Sequence, residues 1–248
     1  MIEKQWAEKI FACIDATTLN ASDNESTVAI FCRRMAEIEM EGAKVASVCV
    51  YPRFVSVARQ SVGSSGLRVV SVAGAFPHGQ LPIALKKAEA KYAVDAGADE
   101  VDMVISRGLL LGGNDNEVRH EVEEMKQACN EHTLKTILET GELPSPTLVA
   151  HAARLAIAGG ADFIKTSTGK IAVGATIEAA EAMLKVIRDH YDHTGHTVGF
   201  KAAGGIRKPE DALAYAQLAA DIMGSDYITP ATFRIGASSL VDILLSTI

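Results

Sequence analysis

Short β-branched runs alternate with longer amphipathic, alanine-rich stretches along the whole chain. Strand candidates begin near Phe11 (FACIDATTL), Val45 (VASVCVY), Arg68 (RVVSVAGAF), Glu100 (EVDMVI), Leu134 (LKTILET), Ala161 (ADFIKT), Val198 (VGFKAAG) and Asp226 (DYIT). Between them the spacing predicts helices over roughly 25–41, 52–60, 82–96, 116–131, 145–158, 176–191 and 208–223, with a last one from Ala237. In 210–223, Leu213, Ala216, Leu218 and Ile222 fall near one face, the mark of a helix with one buried side. Gly-Ala-Asp occurs at 97–99 and again at 160–162, each time ending a helical stretch and opening an apolar run. Pro82, Pro146 and Pro209 sit where helices start, the position that tolerates a missing N–H.

Eight such units without a linker predict one α/β domain over residues 1–248, a (β/α)8 barrel of the TIM type. A doubly wound open sheet is the alternative, but it favours fewer strands and a GxGxxG turn after the first. Here the first strand leads into Asp15-Ala-Thr-Thr-Leu19 instead.

Strands of a parallel barrel are covered on both faces and should read as nearly all apolar. Four of these runs carry an internal charge: Asp15, Asp102, Lys165 and Lys201. Structural ion pairing is one explanation, though such pairs rarely improve on apolar packing. Placement at the C-terminal ends of strands 1, 4, 6 and 7 favours chemistry. Lys165, in Phe163-Ile-Lys-Thr-Ser-Thr-Gly-Lys170, points into the interior beside Lys201 of the neighbouring strand, and like charge together with desolvation depresses one of the two amines toward neutrality. A neutral lysine attacks carbonyls. Asp102 is placed to steady Lys201 and move protons, which predicts a Schiff-base enzyme.

Gly204-Gly205 after strand 7 and Gly236-Ala-Ser238-Ser239 after strand 8 fall where this fold recurrently binds phosphate. Individually they read as turns or caps; together they favour a phosphorylated substrate. Lys170 is either a solvated loop cation or a source of charge for the pocket. Lys135, at the start of strand 5, reads as structural. Cys49 reads as a small buried residue lining the pocket, and Asp15 as support for the network or an anchor of strand 1. His78 with Asp102 and Glu139 is the one weak arrangement for a metal-dependent aldolase; the expectation is no metal and no cofactor.

Composition narrows the partners. The chain is 48% apolar, ample for a core, and its net charge of −7 without basic, aromatic-interleaved runs argues against nucleic acid. Residues 1–10 lack the apolar core of an export signal, and no window suits a membrane span. The four cysteines (Cys13, Cys32, Cys49, Cys129) show no ligand spacing and read as reduced thiols. The expectation is a soluble cytoplasmic protein.

The motifs Asp15-Ala-Thr-Thr-Leu19, Cys49-Val-Tyr-Pro-Arg-Phe54, Gly97-Ala-Asp-Glu-Val-Asp102, Leu138-Glu-Thr-Gly141, Ala161–Gly169, Gly199–Arg207 and Arg234–Ser239 together resemble the class I deoxyribose-phosphate aldolase family, in order across nearly the whole chain. The resemblance implies reversible cleavage of 2-deoxy-D-ribose 5-phosphate into acetaldehyde and D-glyceraldehyde 3-phosphate, in nucleoside catabolism, by a homodimer. It implies Lys165 as the imine-forming lysine, Lys201 as its pKa-lowering neighbour and Asp102 as the acid of the proton relay. Gly205, Gly236, Ser238 and Ser239 match its phosphate positions. The chain departs from members with a C-terminal tyrosine tail, ending at Leu244-Leu-Ser-Thr-Ile248; water or Thr168 is expected to cover that role. Alternatives are a lysine aldolase for another phosphorylated sugar and a phosphosugar-binding barrel without turnover.

Overall fold

The computed structural model describes residues 2–248. Eight parallel strands, β1 (Ile14–Thr17), β2 (Ser47–Val50), β3 (Arg68–Ala73), β4 (Glu100–Val104), β5 (Thr133–Ile137), β6 (Phe163–Lys165), β7 (Gly199–Ala203) and β8 (Phe233–Ala237), pair in sequence order. The barrel closes where β1 pairs with β8. Around it run α1 (Lys4–Ala12), α2 (Glu25–Met40), α3 (Val55–Val62), α4 (Ile83–Asp95), α5 (Arg107–Leu111), α6 (Asp115–Cys129), α7 (Pro146–Ala158), α8 (Ile177–Thr194), α9 (Pro209–Met223) and α10 (Leu240–Leu245). The architecture is the expected (β/α)8 TIM barrel. Val48, Val69, Val101, Leu134, Ile164, Phe200 and Ile235 belong to the main apolar core shared by strands and helices. A second, small apolar cluster of Leu19, Cys49, Val70 and Val72 forms apart from it, joined by Tyr51 and Phe76.

The repeated Gly-Ala-Asp does the same work in both places. Gly97 and Gly160 take positive φ (106° and 90°), which glycine adopts without steric penalty. The following N–H groups turn back on the helices, Ala98 to the Ala93 carbonyl at 3.0 Å and Ala161 to Ala156 at 3.1 Å. The aspartates then each accept a main-chain N–H from the preceding strand, Asp99 from Val69 and Asp162 from Leu134, both at 2.7 Å. A helix cation completes each knot: Arg59 on Asp99, Lys126 on Asp162.

Three expectations need correction. Phe11 is not in the first strand; 4–12 is helical, because Ala7, Ile10 and Phe11 are buried at helical spacing, and β1 starts at Ile14. The run from Asp226 is not strand 8: 225–227 is a short 3-10 turn, its Tyr227 hydroxyl donating to the Val198 carbonyl at 2.7 Å. The real β8 contains Arg234 and Gly236, whose charge and missing side chain hid it from an apolar pattern. Gly236 therefore lies inside a strand, and the last helix begins at Leu240 rather than Ala237. The short helix α5 was also not anticipated.

Glycine in the strands makes room for neighbours. A Cβ on Gly236 would stand 3.2 Å from Lys201 Cε. One on Gly199 would lie 2.3 Å from Phe163 ring atoms, the residue opposite it in register. Replacing Gly199 with alanine is expected to destabilise the barrel by about 1–3 kcal/mol, since rigid overpacking displaces the ring. Urea unfolding of Gly199→Ala against the parent measures this, and an unchanged midpoint contradicts it.

Candidate active site

Strand parity sends alternate side chains inward, so Asp15, Glu100, Asp102, Lys135, Lys165, Lys201 and Arg234 converge inside the barrel, none more than 3% exposed. Asp102 is the hub. Its Oδ2 accepts from Lys165 at 2.8 Å and from Lys201 at 2.7 Å, and its Oδ1 accepts from Lys135 at 2.9 Å. The Lys165 and Lys201 nitrogens, on strands that pair directly, thus lie no farther apart than two hydrogen bonds laid end to end. Lys201 also reaches Asp15 Oδ2. Below, Arg234 binds Asp15 Oδ1 through Nη1 and Glu100 Oε1 through Nη2 at 2.8 Å, and Lys135 pairs with Glu100. Ser47 donates to Asp15 Oδ1 at 2.6 Å. Two of these cations, those of Lys135 and Arg234, lie 5.9 and 5.7 Å from the Phe163 ring centroid.

Burial raises the proton affinity of each carboxyl, but the lysines and Arg234 outweigh it. Asp15 and Asp102 are held well below the usual carboxylate range, and Glu100 is lowered to about 2. Burial works against all the cations too, yet Lys201 and Lys135 are pushed up by Asp102 together with the other carboxylates they touch. Lys165 goes the other way. Burial lowers it, the Lys201 ammonium adds to the effect, and Asp102, its one carboxylate partner, does not compensate. Three carboxylates face four buried cations, and Lys165 is the cation with a single carboxylate partner.

Lys165 also opens upward. It floors a cavity of about 200 Å³ at the C-terminal mouth, together with Thr168, Lys170, Gly204, Gly205, Gly236 and Ser238. Ser239 lies outside this lining and precedes α10 without a side-chain cap bond. Thr17, Asn20 and Arg207 line the cavity as well and were missed, since none interrupts an apolar run. Lys170 donates to the Leu19 carbonyl, which also accepts from Tyr51 Oη at 3.3 Å, so the loops after β6 and β1 are tied across the mouth. A larger hollow of about 410 Å³ lies between α7 and α8, against Arg154, Ile157, Val186, Asp189 and His190, and shares no residue with the barrel interior.

Glu139, in left-handed conformation (φ 56°) just after β5, accepts from the Thr168 main-chain N at 3.0 Å and from Thr168 Oγ1 at 2.5 Å. With Glu139 so engaged, Asp102 bound by three lysines and His78 exposed in its loop, those three residues are not brought together. Among the described residues no group of three histidine, cysteine or acidic side chains is arranged to hold a metal ion. Cys49 is fully buried, its thiol pushed up to about 11 by burial, which leaves it un-ionised. Lys135, read as structural, is in direct contact with Asp102, Glu100 and, at 3.8 Å, Asp15. Glu100 and Arg234 were not recognised as members: one stands at a strand start, the other in the unrecognised β8.

The DeoC/LacD aldolase family model matches residues 9–246. Among solved structures, a provisionally assigned deoxyribose-phosphate aldolase from Coccidioides immitis is 32% identical, with TM-score 0.82 over 97% of this chain and 86% of that one. Deoxyribose phosphate aldolase from Aeropyrum pernix, described as a unique tetramer, is 26% identical, with TM-score 0.77 over 98% and 95%. A provisionally assigned deoxyribose-phosphate aldolase from Toxoplasma gondii ME49 has TM-score 0.88 at 23% identity over 98% and 94%, a likeness of fold. No helix among the described residues is long and apolar enough to cross a membrane.

The depressed carboxyl of Glu100 fixes an acid limit to stability. A group with a lowered folded pKa contributes fully above its ordinary value of 4.5, and that contribution is lost as pH falls toward about 2. Urea midpoints measured between those limits are expected to fall with pH, and less steeply in Glu100→Gln.

Proposed function

The chain belongs to the DeoC/LacD family of aldolases, and from that premise we propose that it cleaves 2-deoxy-D-ribose 5-phosphate reversibly through an imine on Lys165. The observation that carries this reading is Asp102 Oδ2 shared by two lysines, of which only Lys165 opens to the cavity.

In the proposed cycle the free amine of Lys165 adds to the C1 aldehyde of the open-chain sugar, giving a carbinolamine. The Lys201 ammonium supplies the proton with which the hydroxyl leaves as water, and Asp102 holds both nitrogens through the exchange. The iminium then draws the C2–C3 electron pair as the C3 hydroxyl loses its proton. Glyceraldehyde 3-phosphate departs and an enamine of two carbons remains. Protonation at its terminal carbon and hydrolysis release acetaldehyde and restore the amine. The chemistry requires one neutral and one charged lysine side by side, which matches the opposite directions in which burial and neighbours move Lys165 and Lys201.

Phosphate is the part of the substrate that Lys170 and Arg207 suit, two cations at the rim of the same cavity, with Ser238 and the bare backbone of Gly205 beside them. Thr168, fixed by Glu139, supplies a hydroxyl between the rim and the amine.

Incubation with acetaldehyde followed by borohydride is expected to fix a two-carbon adduct on Lys165, located by mass spectrometry; a protein that stays unmodified under these conditions rules out the imine. Lys165→Ala is expected to abolish turnover. Lys201→Leu is expected to lower kcat/KM by about 100-fold or more and to distort the pH profile, because one proton donor is lost. Ser238→Asp places an anion against the phosphate, so KM for the phosphorylated sugar should rise while the rate on unphosphorylated deoxyribose holds.

A further inference from the structure

Each strand except β3 sends a titratable side chain into the barrel's charged interior, and β3 adds Arg68 from outside. Cys49 stands on β2, Glu100 and Asp102 on β4, and Asp15, Lys135, Lys165, Lys201 and Arg234 on the others. Arg68 reaches Glu100 Oε1 at 2.9 Å with its own side chain 56% exposed. Only the top of this column lines the cavity. Glu100 and Arg234 do not touch it, and Lys135 and Asp15 separate them from the Lys165–Asp102 pair. Yet Arg234 is among the largest fully buried side chains of the protein, bound by both Asp15 and Glu100.

Such a deposit of charge is costly to bury, and packing alone does not call for it. Its effect follows from sharing. Asp15 divides its two oxygens between Arg234 and Lys201, and Asp102 divides its own between Lys135 and the pair Lys201 and Lys165. Whatever Arg234 takes from Asp15 is withheld from Lys201, which then leans on Asp102 and competes with Lys165 for the same oxygen. Whatever Glu100 gives Lys135 relieves the other oxygen of Asp102. The groups facing Lys165 from elsewhere are Cys49, un-ionised, and at the rim Lys170 and Arg207, both in reach of solvent.

We propose that Glu100 and Arg234 are positioning residues that set the charge balance of the barrel interior and thereby the pH at which Lys165 becomes a free amine. The inference rests on the imine reading above. Arg68 is half in solvent and screened, so removing the cation at 234 leaves as many buried cations as carboxylates, and Lys165 keeps its proton to higher pH. Removing the anion at 100 adds to the cationic surplus, so Lys165 gives its proton up at lower pH. Removing both restores the surplus of one.

The test is the pH dependence of acetaldehyde trapping by borohydride, mapped to Lys165, in the parent, Arg234→Met, Glu100→Gln and the double variant. The acid limb is expected to move up by about one pH unit in Arg234→Met, down by about one in Glu100→Gln, and back toward the parent in the double variant, the scale set by a single nearby charge. A merely structural role lowers yield without moving the limb. If Arg234→Met fails to fold, Glu100→Gln, nearly the same shape as the parent residue, still gives a signed result. An unmoved limb, or both single variants moving the same way, overturns the proposal. Absence of any Lys165 adduct in the parent instead overturns the imine, so the two failures are distinct.

Discussion

A closed barrel excludes water from its axis, so any charge placed there must be matched by a neighbour or discharged. Seven acidic and basic side chains occupy that space, bridged by hydrogen bonds and ion pairs from Lys165 at the mouth down to Arg234 and Glu100. Because the strands pair in fixed register, the distances are set by the backbone rather than by the charges. Lys165 and Lys201 are registered partners, and so are Asp102 and Lys135. The sheet forces the groups together, and the excess of one cation then falls on the lysine with fewest partners.

The same rigidity holds the mouth. The Gly-Ala-Asp knots fix the entries of β4 and β6, the strands that carry Asp102 and Lys165. At the other end, Glu139 holds Thr168, and Lys170 ties the loop after β6 to Leu19. The left-handed backbone at Glu139 is a conformation that a side chain adopts at an energetic cost, and here it aims a buried carboxylate at the loop that rims the cavity. The buried charges and the cavity above them therefore sit on elements anchored from both ends.

The alternation of β-branched and amphipathic segments was enough to establish the barrel, because a strand covered on both faces and a helix covered on one leave different periods in the sequence. Charges inside apolar runs were equally visible, and they located Asp15, Asp102, Lys165 and Lys201. The same rule concealed β8. Its Arg234 and Gly236 break the pattern for the sake of Asp15 and Lys201 on the two neighbouring strands, β1 and β7, the first of them 219 positions away along the chain, while the more apolar run at Tyr227 serves as a turn. Glu139, weighed as a metal ligand, is taken up by Thr168, a partner 29 positions away that no local pattern identifies.

The sequence by itself therefore determined the fold class, the strands on which Asp15, Asp102, Lys165 and Lys201 stand, and the membership of an aldolase family. It did not determine which amine is the weak one. That depends on how three carboxylates are divided among four cations, and the contacts involved span up to 219 positions, as between Arg234 and Asp15. Electrostatic energy depends on distance in space, and only closure of the barrel, with β8 laid against β1, sets those distances.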